Sequence, residues 1–150
     1  MTVGYRLSSR RYSANSGKGA ALYGGRWNPV GVEVIYAAMS PSLAALEILV
    51  HYDTLPTIFV LTEIRIPVRV RISQLADRDL PPKWDDQVPG AATQAVGARW
   101  ILGQRSAVLS VPSSIMPIER NLVLNPAHPD FRFIRFRPST PFRFDSRLKQ

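Results

Sequence analysis

Three observations predict an α+β fold, one compact domain with a mixed β-sheet and a few helices. Residues 58–66 alternate Ile58, Val60, Thr62, Ile64 and Ile66 with Phe59, Leu61, Glu63 and Arg65, the period-two pattern of a strand. Ser40 followed by Pro41 supplies an N-cap and a first helical residue, which predicts a helix to about Tyr52. Short apolar runs at 32–37, 107–111 and 122–125 read as buried strands. The 150 residues contain no internal repeat and no Gly/Ser linker, so 1–150 is expected to be one domain.

Taken in order, residues 3–6 form a short strand, and the polar segment with Ser16, Gly17, Lys18 and Gly19 reads as a loop. Residues 24–29, Gly-Gly-Arg-Trp-Asn-Pro, are a turn by composition. Pro67 ends the strand of 58–66, and Val68, Val70 and Ile72 alternate with Arg69 and Arg71 as a second strand or an extended continuation. A loop rich in Asp and Pro follows. Ala92, Val96 and Trp100 give 91–102 helical spacing, with Gly103 as the stop. The tail alternates Phe with Arg and predicts an amphipathic strand over 131–137 with a phase slip near Ile134. One or two helices against several strands is the expected content.

The chain is 45% hydrophobic and 20% charged, a globular balance. Its 19 basic residues against 11 acidic give a formal charge of +8 and a pI of about 10.6, which suits an anionic ligand or partner: nucleic acid, a dinucleotide, an acidic protein or an anionic surface. The absence of cysteine removes disulfides, thiolate catalysis and cysteine-ligated zinc. Neither a signal-peptide core nor a membrane-length apolar stretch is present, and a cytoplasmic protein is expected.

Glu47 interrupts an apolar segment. On the predicted helix it shares a stripe with Leu43, Leu46 and Val50, so its carboxylate is buried, paired with a cation, or turned toward a cleft. A structural ion pair is the commoner arrangement. Arg26 follows two glycines, which allow close approach of an anion to the backbone while the guanidinium offers a bidentate fork; a surface arginine after an ordinary turn is the bland alternative. Tyr36 ends a strand that leads to the helix of Glu47 and either packs in the core or stacks on a flat heterocycle. Ser113 follows a short strand, as a turn residue or a site residue. A serine hydrolase would recruit His128 and Asp130, but the Gly-x-Ser-x-Gly elbow is missing. His51 and His128 make no recognised metal motif, and no metal is expected. Gly17-Lys18-Gly19 is not a phosphate-binding Walker sequence.

Arg26, Glu47 and Ser113, in this order, resemble the Arg-Glu-Ser triad of the RES domain family. The resemblance extends through Gly25-Arg26-Trp27-Asn28, Val34-Ile35-Tyr36, Leu43-Ala44-Ala45-Leu46-Glu47, Val111-Pro112-Ser113, Asn121, Asn125-Pro126-Ala127-His128-Pro129 and Phe144-Asp145-Ser146-Arg147-Leu148. It implies an ADP-ribosyltransferase-toxin-like fold and the toxin half of a bacterial toxin–antitoxin pair that degrades NAD as its substrate, with no cofactor. It implies Glu47, Arg26, Tyr36 and Ser113 as active-site residues, with Tyr5 and Arg6 approaching the dinucleotide beside Arg26 and Tyr36. The implied partner is an Xre-like helix-turn-helix antitoxin, which blocks the site and is the only route to nucleic acid; the complex allows a homo-oligomer.

These residue types suffice for the implied reaction. Nicotinamide leaves NAD as a neutral base, so its departure needs no general acid, and one carboxylate below the ribose stabilises the oxocarbenium-like transition state. The acceptor is water, phosphate or a macromolecule. The first two give nicotinamide with ADP-ribose or a phosphorylated ADP-ribose, and the third is ADP-ribosylation. The competing class is a non-catalytic basic module that binds nucleic acid through residues 131–137.

Overall fold

The computed structural model describes residues 1–149. In chain order the elements are β1 (Thr2–Ser9), α1 (Lys18–Tyr23), β2 (Ile35–Ala38), α2 (Pro41–Leu49), β3 (Phe59–Ile66), β4 (Ile72–Gln74), α3 (Ala91–Gly103), β5 (Val108–Pro112), β6 (Arg120–Leu124), β7 (Arg135–Phe136) and β8 (Thr140–Phe142). The strands form one sheet in the order β4-β5-β6-β2-β1-β3-β7, with β8 beside β7 along the same edge of β3. Only the β4–β5 pair is parallel, so the sheet is mixed and the fold is α+β, as the sequence predicts. Among the described residues no helix is long and apolar enough to cross a membrane.

The period-two pattern places Ile64 and Ile66 on one face, where they pack with Ile35, Ala37, Val108, Leu122 and Leu124 in the main core. The opposite face carries two separate clusters. At one end α2 buries Leu43, Ala44 and Leu49 against Leu7, Ala38, Phe59 and Phe144. At the other, α3 lays Val96, Trp100 and Ile101 over Trp27, Val34, Leu109, Val111 and Val123. Successive residues of β2 on this face, Tyr36 and Ala38, belong to different clusters. A seam between two apolar patches therefore crosses the sheet at β2.

Ser40 caps α2 as its sequence suggests, its Oγ accepting from Leu43 N at 3.1 Å, and Pro41 opens the helix. The helix stops at Leu49 rather than Tyr52, with Val50 as a half-exposed cap residue, so Val50 leaves the stripe expected to include Glu47. Leu43, only 2% exposed, anchors that stripe and contributes about 1.5–3 kcal/mol by burial.

Other differences have local causes. Lys18 and Gly19 belong to a short helix, not a loop, because Asn28 Nδ2 donates to Ala20 O and Gly31 N donates to Ala21 O, satisfying carbonyls that a six-residue helix leaves open. The run 68–72 turns at Val68–Val70 and becomes strand only at Ile72. Gly103 is the last residue of α3, and Gln104 takes the left-handed conformation at φ 52°. The tail is not one strand: a 3₁₀ turn over Pro129–Phe133 precedes β7 and β8, and this turn produces the phase slip at buried Ile134. Among the described residues the α-helices number three, not one or two.

The seat of α3 depends on Gly97, where an added Cβ would lie 1.6 Å from Trp27 O. Gly97→Ala is expected to cost about 3 kcal/mol or more in urea unfolding, because backbone must move. Gly103→Ala, with nothing within 4 Å, is expected to stabilise the same helix by about 0.5 kcal/mol. Equal effects at the two positions would contradict this packing.

Candidate active site

Glu47 projects from α2 into the seam, half-buried. Its Oε1 accepts two hydrogen bonds, from Ser113 Oγ at 2.7 Å and from Asn121 Nδ2 at 2.6 Å. Oε2 has no protein donor, and Glu47 forms no ion pair among the described residues. The structural ion pair is therefore not what holds this carboxylate. Two neutral donors fix one oxygen and leave the other available.

Ser113 is completely buried, immediately after β5. Its Oγ also accepts from Ile115 N and Met116 N, both at 3.1 Å, so it is a turn residue and a partner of Glu47 at once. Its hydroxyl proton is donated to Glu47 and its oxygen accepts two backbone N–H groups, so its hydrogen-bonding capacity is filled. His128 is engaged elsewhere: Nδ1 accepts from Asp130 N at 3.1 Å, leaving the Nε2 proton to donate to Gln104 O at 3.0 Å. No Ser-His-Asp arrangement forms among the described residues.

Asn121 was visible in the sequence only as part of the family pattern. The carboxylate can only accept, which fixes the amide with Nδ2 toward Glu47 and Oδ1 away. That Oδ1 is buried without a partner. Register sets its place, because Asn121 lies opposite Ala38 of β2 and Val111 of β5.

Two residues from Ala38 along β2, about 7 Å away on the same face, stands Tyr36. Its hydroxyl donates to Asn28 Oδ1 at 2.6 Å and accepts from Trp27 N at 3.0 Å. Burial holds the phenol well above its usual ionisation range and outweighs the lowering by Trp27 N–H and by the positive charge of Arg26. Tyr36 is thus a neutral strut under the Gly-Gly-Arg-Trp turn. Gly25 is required there, since a Cβ would come within 2.8 Å of both Tyr36 Oη and Asn28 Oδ1. Gln94 Nε2 of α3 holds the same turn by donating to Gly25 O at 3.1 Å.

Arg26 extends from this turn to residues 84–86, where Nη1 donates to Trp84 O at 2.7 Å and Nη2 to Asp86 O at 2.8 Å. Its partners are neutral carbonyls, so its charge is uncompensated by any ion pair among the described residues. Arg6 is similar and more buried. The strands β1 and β2 share one bridge, Tyr5 with Ala38, and beside it Arg6 Nη1 donates to Tyr36 O at 3.1 Å while Nε is buried without a partner. Desolvation alone lowers its pKa to about 10. Tyr5 packs half-buried with the α2 cluster.

The expected residues thus form two groups: Tyr36 lies on the sheet face of Glu47, whereas Arg6, paired with Thr62 between Tyr5 and Leu7, starts from the opposite face and reaches the Tyr36 carbonyl where β1 and β2 share a single bridge. Glu47, Ser113 and Asn121 make a carboxylate centre. Arg6, Tyr36 and Arg26 are linked in sequence through the Tyr36 carbonyl, its hydroxyl and the Trp27–Asn28 backbone and side chain, and they make a cationic rim. A RES domain model matches residues 4–145, most of the chain and all of these residues. The chain belongs to the RES domain family. It is 42% identical over 146 residues to the Prs ADP-ribosylating toxin of Sphingobium sp., covering 93% of this chain and 91% of that one. To a Toxin Res of Photorhabdus laumondii it is 44% identical over 149 residues, covering 96% and 95%. A chain in the crystal structure of the M. tuberculosis MbcT-MbcA toxin-antitoxin complex shares its fold, with a TM-score of 0.63, 22% identity, and coverage of 94% of this chain and 84% of that one.

Arg6 is half-buried, but its Nε is buried without a partner and its one hydrogen bond is to a carbonyl, which is a cost to the fold. Arg6→Met is expected to raise Tm by about 3 °C or more, measured near neutral pH. The guanidinium keeps its proton in both the folded and the unfolded chain at and below neutral pH, so the gain is expected to be independent of pH there. A lower Tm for Arg6→Met near neutrality would contradict an uncompensated charge. Tyr36→Phe, which strands Asn28 Oδ1 and Trp27 N, is expected to cost about 1–3 kcal/mol.

Proposed function

We propose that this RES domain, taken as residues 1–150, is the toxin of a toxin–antitoxin system and cleaves the nicotinamide–ribose bond of NAD. The observation that carries the reading is the Glu47 carboxylate, held through Oε1 by Ser113 and Asn121 with Oε2 unpartnered beside a cationic rim. The curated relatives named as toxins, one of them ADP-ribosylating, support it.

The pyrophosphate of NAD lies toward Arg26 and Arg6, whose charges have no carboxylate to satisfy them. Binding there uses energy remote from the reacting carbon to orient the ribose over Glu47. The ring of Tyr36 packs against nicotinamide or its ribose, with its hydroxyl held by the turn. Tyr5 stands at the single β1–β2 bridge and flanks the same opening. As the C–N bond breaks, its electron pair leaves with neutral nicotinamide, and positive charge grows on the ribose. Oε2 of Glu47 stabilises that charge and accepts a ribose hydroxyl, a bond that strengthens in the transition state. Ser113 and Asn121 keep the carboxylate in place without neutralising it.

Water as acceptor gives ADP-ribose and a proton, and phosphate gives a phosphorylated ADP-ribose. These nicotinamide-releasing reactions are the first reading. Transfer to a macromolecule is the second, favoured by the name of the Sphingobium relative. A cognate antitoxin, Xre-like in type, is the proposed inhibitor; the fold shared with a chain from a toxin–antitoxin complex supports such a partner.

The test incubates purified protein with NAD, with and without phosphate, and identifies products by chromatography and mass. Wild type is expected to release nicotinamide, Glu47→Gln to lose on the order of 10³-fold in kcat, and Ser113→Ala or Asn121→Ala about 10²-fold. Arg26→Ala is expected to raise KM as well as lower kcat. Full turnover by Glu47→Gln would overturn the reading, and nicotinamide release only with an added protein acceptor would select transfer.

A further inference from the structure

The outer edge of the sheet carries charge that the proposed site does not use. Arg65 of β3 stands directly opposite Arg135 of β7, so their exposed side chains share one face as a like-charged cross-strand pair, an arrangement that destabilises and that one carboxylate, on Arg65, offsets only in part. Arg137, also exposed, continues the edge, its N donating to Glu63 O at 2.9 Å. Arg69 and Arg132 both stack on the ring of Phe133, at 3.8 and 4.7 Å from its centroid, and Arg135 Nη1 donates to Arg132 O at 2.9 Å. Glu63, bonded to Arg65 at 2.6 Å, is the only carboxylate paired with these five arginines among the described residues.

We propose that this arginine face is a docking surface for the phosphate backbone of duplex nucleic acid, contacted by this chain directly. The residue type points to phosphate. Only three of the 19 basic residues are lysine, none of them here, and the planar fork of arginine pairs with phosphate oxygens two at a time. The spacing agrees. Arg135 and Arg137 are two residues apart on an extended segment, about 7 Å, and Arg65 lies about 5 Å across from Arg135, separations of the order of those between neighbouring backbone phosphates. Stacking on Phe133 restricts two of the long side chains before any ligand arrives, which lowers the entropic cost of ordering them.

The same features choose among polyanions. Phe131 and Phe136 pack against the core and the Phe133 ring is already occupied by the guanidinium groups of Arg69 and Arg132, so an unpaired base finds no free ring to stack on and single strands lose their usual anchor. A protein partner is normally held by apolar anchors at the centre of its interface, where this face has guanidinium groups. No side chain here reads base edges, and the binding is expected to be indifferent to sequence and steeply dependent on salt.

The experiment measures fluorescence anisotropy of a labelled DNA duplex of arbitrary sequence across a salt series, with the purified full chain. Wild type is expected to bind, with log affinity falling linearly in log salt. The combined variant Arg65→Gln, Arg132→Gln, Arg135→Gln is expected to weaken binding about tenfold or more at low salt and to flatten the slope by about 0.9 for each phosphate that is no longer neutralised. Lysine at the same three positions keeps the charge but removes fork and stacking, and is expected to fall between. Removing equal charge elsewhere, through Arg10→Gln, Arg99→Gln and Arg105→Gln, is expected to leave the larger part of the affinity. NAD turnover and Tm of the first variant report that the domain is intact. The proposal is overturned by absent or salt-insensitive binding, by equal loss in the two glutamine sets, by tighter binding of a single strand than of the duplex, or by polyglutamate displacing the duplex at lower charge concentration than competitor DNA.

Discussion

Asn28 is the point on which the site hangs. Completely buried, it donates through Nδ2 to the carbonyls of Ala20, Pro29 and Val32 and accepts the Tyr36 hydroxyl on Oδ1. One amide thus joins α1, the Gly-Gly-Arg-Trp turn and β2. A buried polar group of this kind is stable only with its bonds completed, so the turn cannot shift without stranding several partners. The position of Arg26 follows from that constraint. Its own bonds, to the carbonyls of Trp84 and Asp86, then secure residues 84–86.

The carboxylate centre obeys a related rule. Glu47 lies between two apolar clusters rather than inside either one, and the sheet meets it with Ser113 and Asn121 instead of a cation. Neutral donors orient a carboxylate through one oxygen without forming an ion pair. Cations are kept on the neighbouring rim. Arg6 and Arg26 bond only to carbonyls, so neither charge is met by a carboxylate among the described residues.

Much of this was legible in the sequence. Period-two alternation in 58–66 reflects the pleat and survives any tertiary context that buries one face, and the Ser40–Pro41 start is a local device with its partner three residues away. Arg26, Glu47 and Ser113 were readable as a set only through the family pattern, because nothing in their spacing of 21 and 66 residues brings them together. The tail is ambiguous in sequence, because alternating Phe and Arg fits a strand and equally fits a 3₁₀ turn joined to one. Only the covering of the core by Phe131, Phe133 and Phe136 decides between them. The helix at Lys18 was missed because its support comes from Asn28 and Gly31, beyond its own end.

By itself, then, the sequence determined the strand of β3, the start of α2, the excess of arginine and the residue types of the site, all of which depend on local pattern or composition. The tertiary structure alone decided that Ser113 and Asn121 share one oxygen of Glu47, that Tyr36 is a strut, and that Arg6 buries its Nε without a partner. These depend on strand register, which sets Asn121 opposite Ala38 and Tyr5 beside it in the next strand. Register is an agreement among distant segments, reached by burying one face of each strand, and no single stretch of chain contains it.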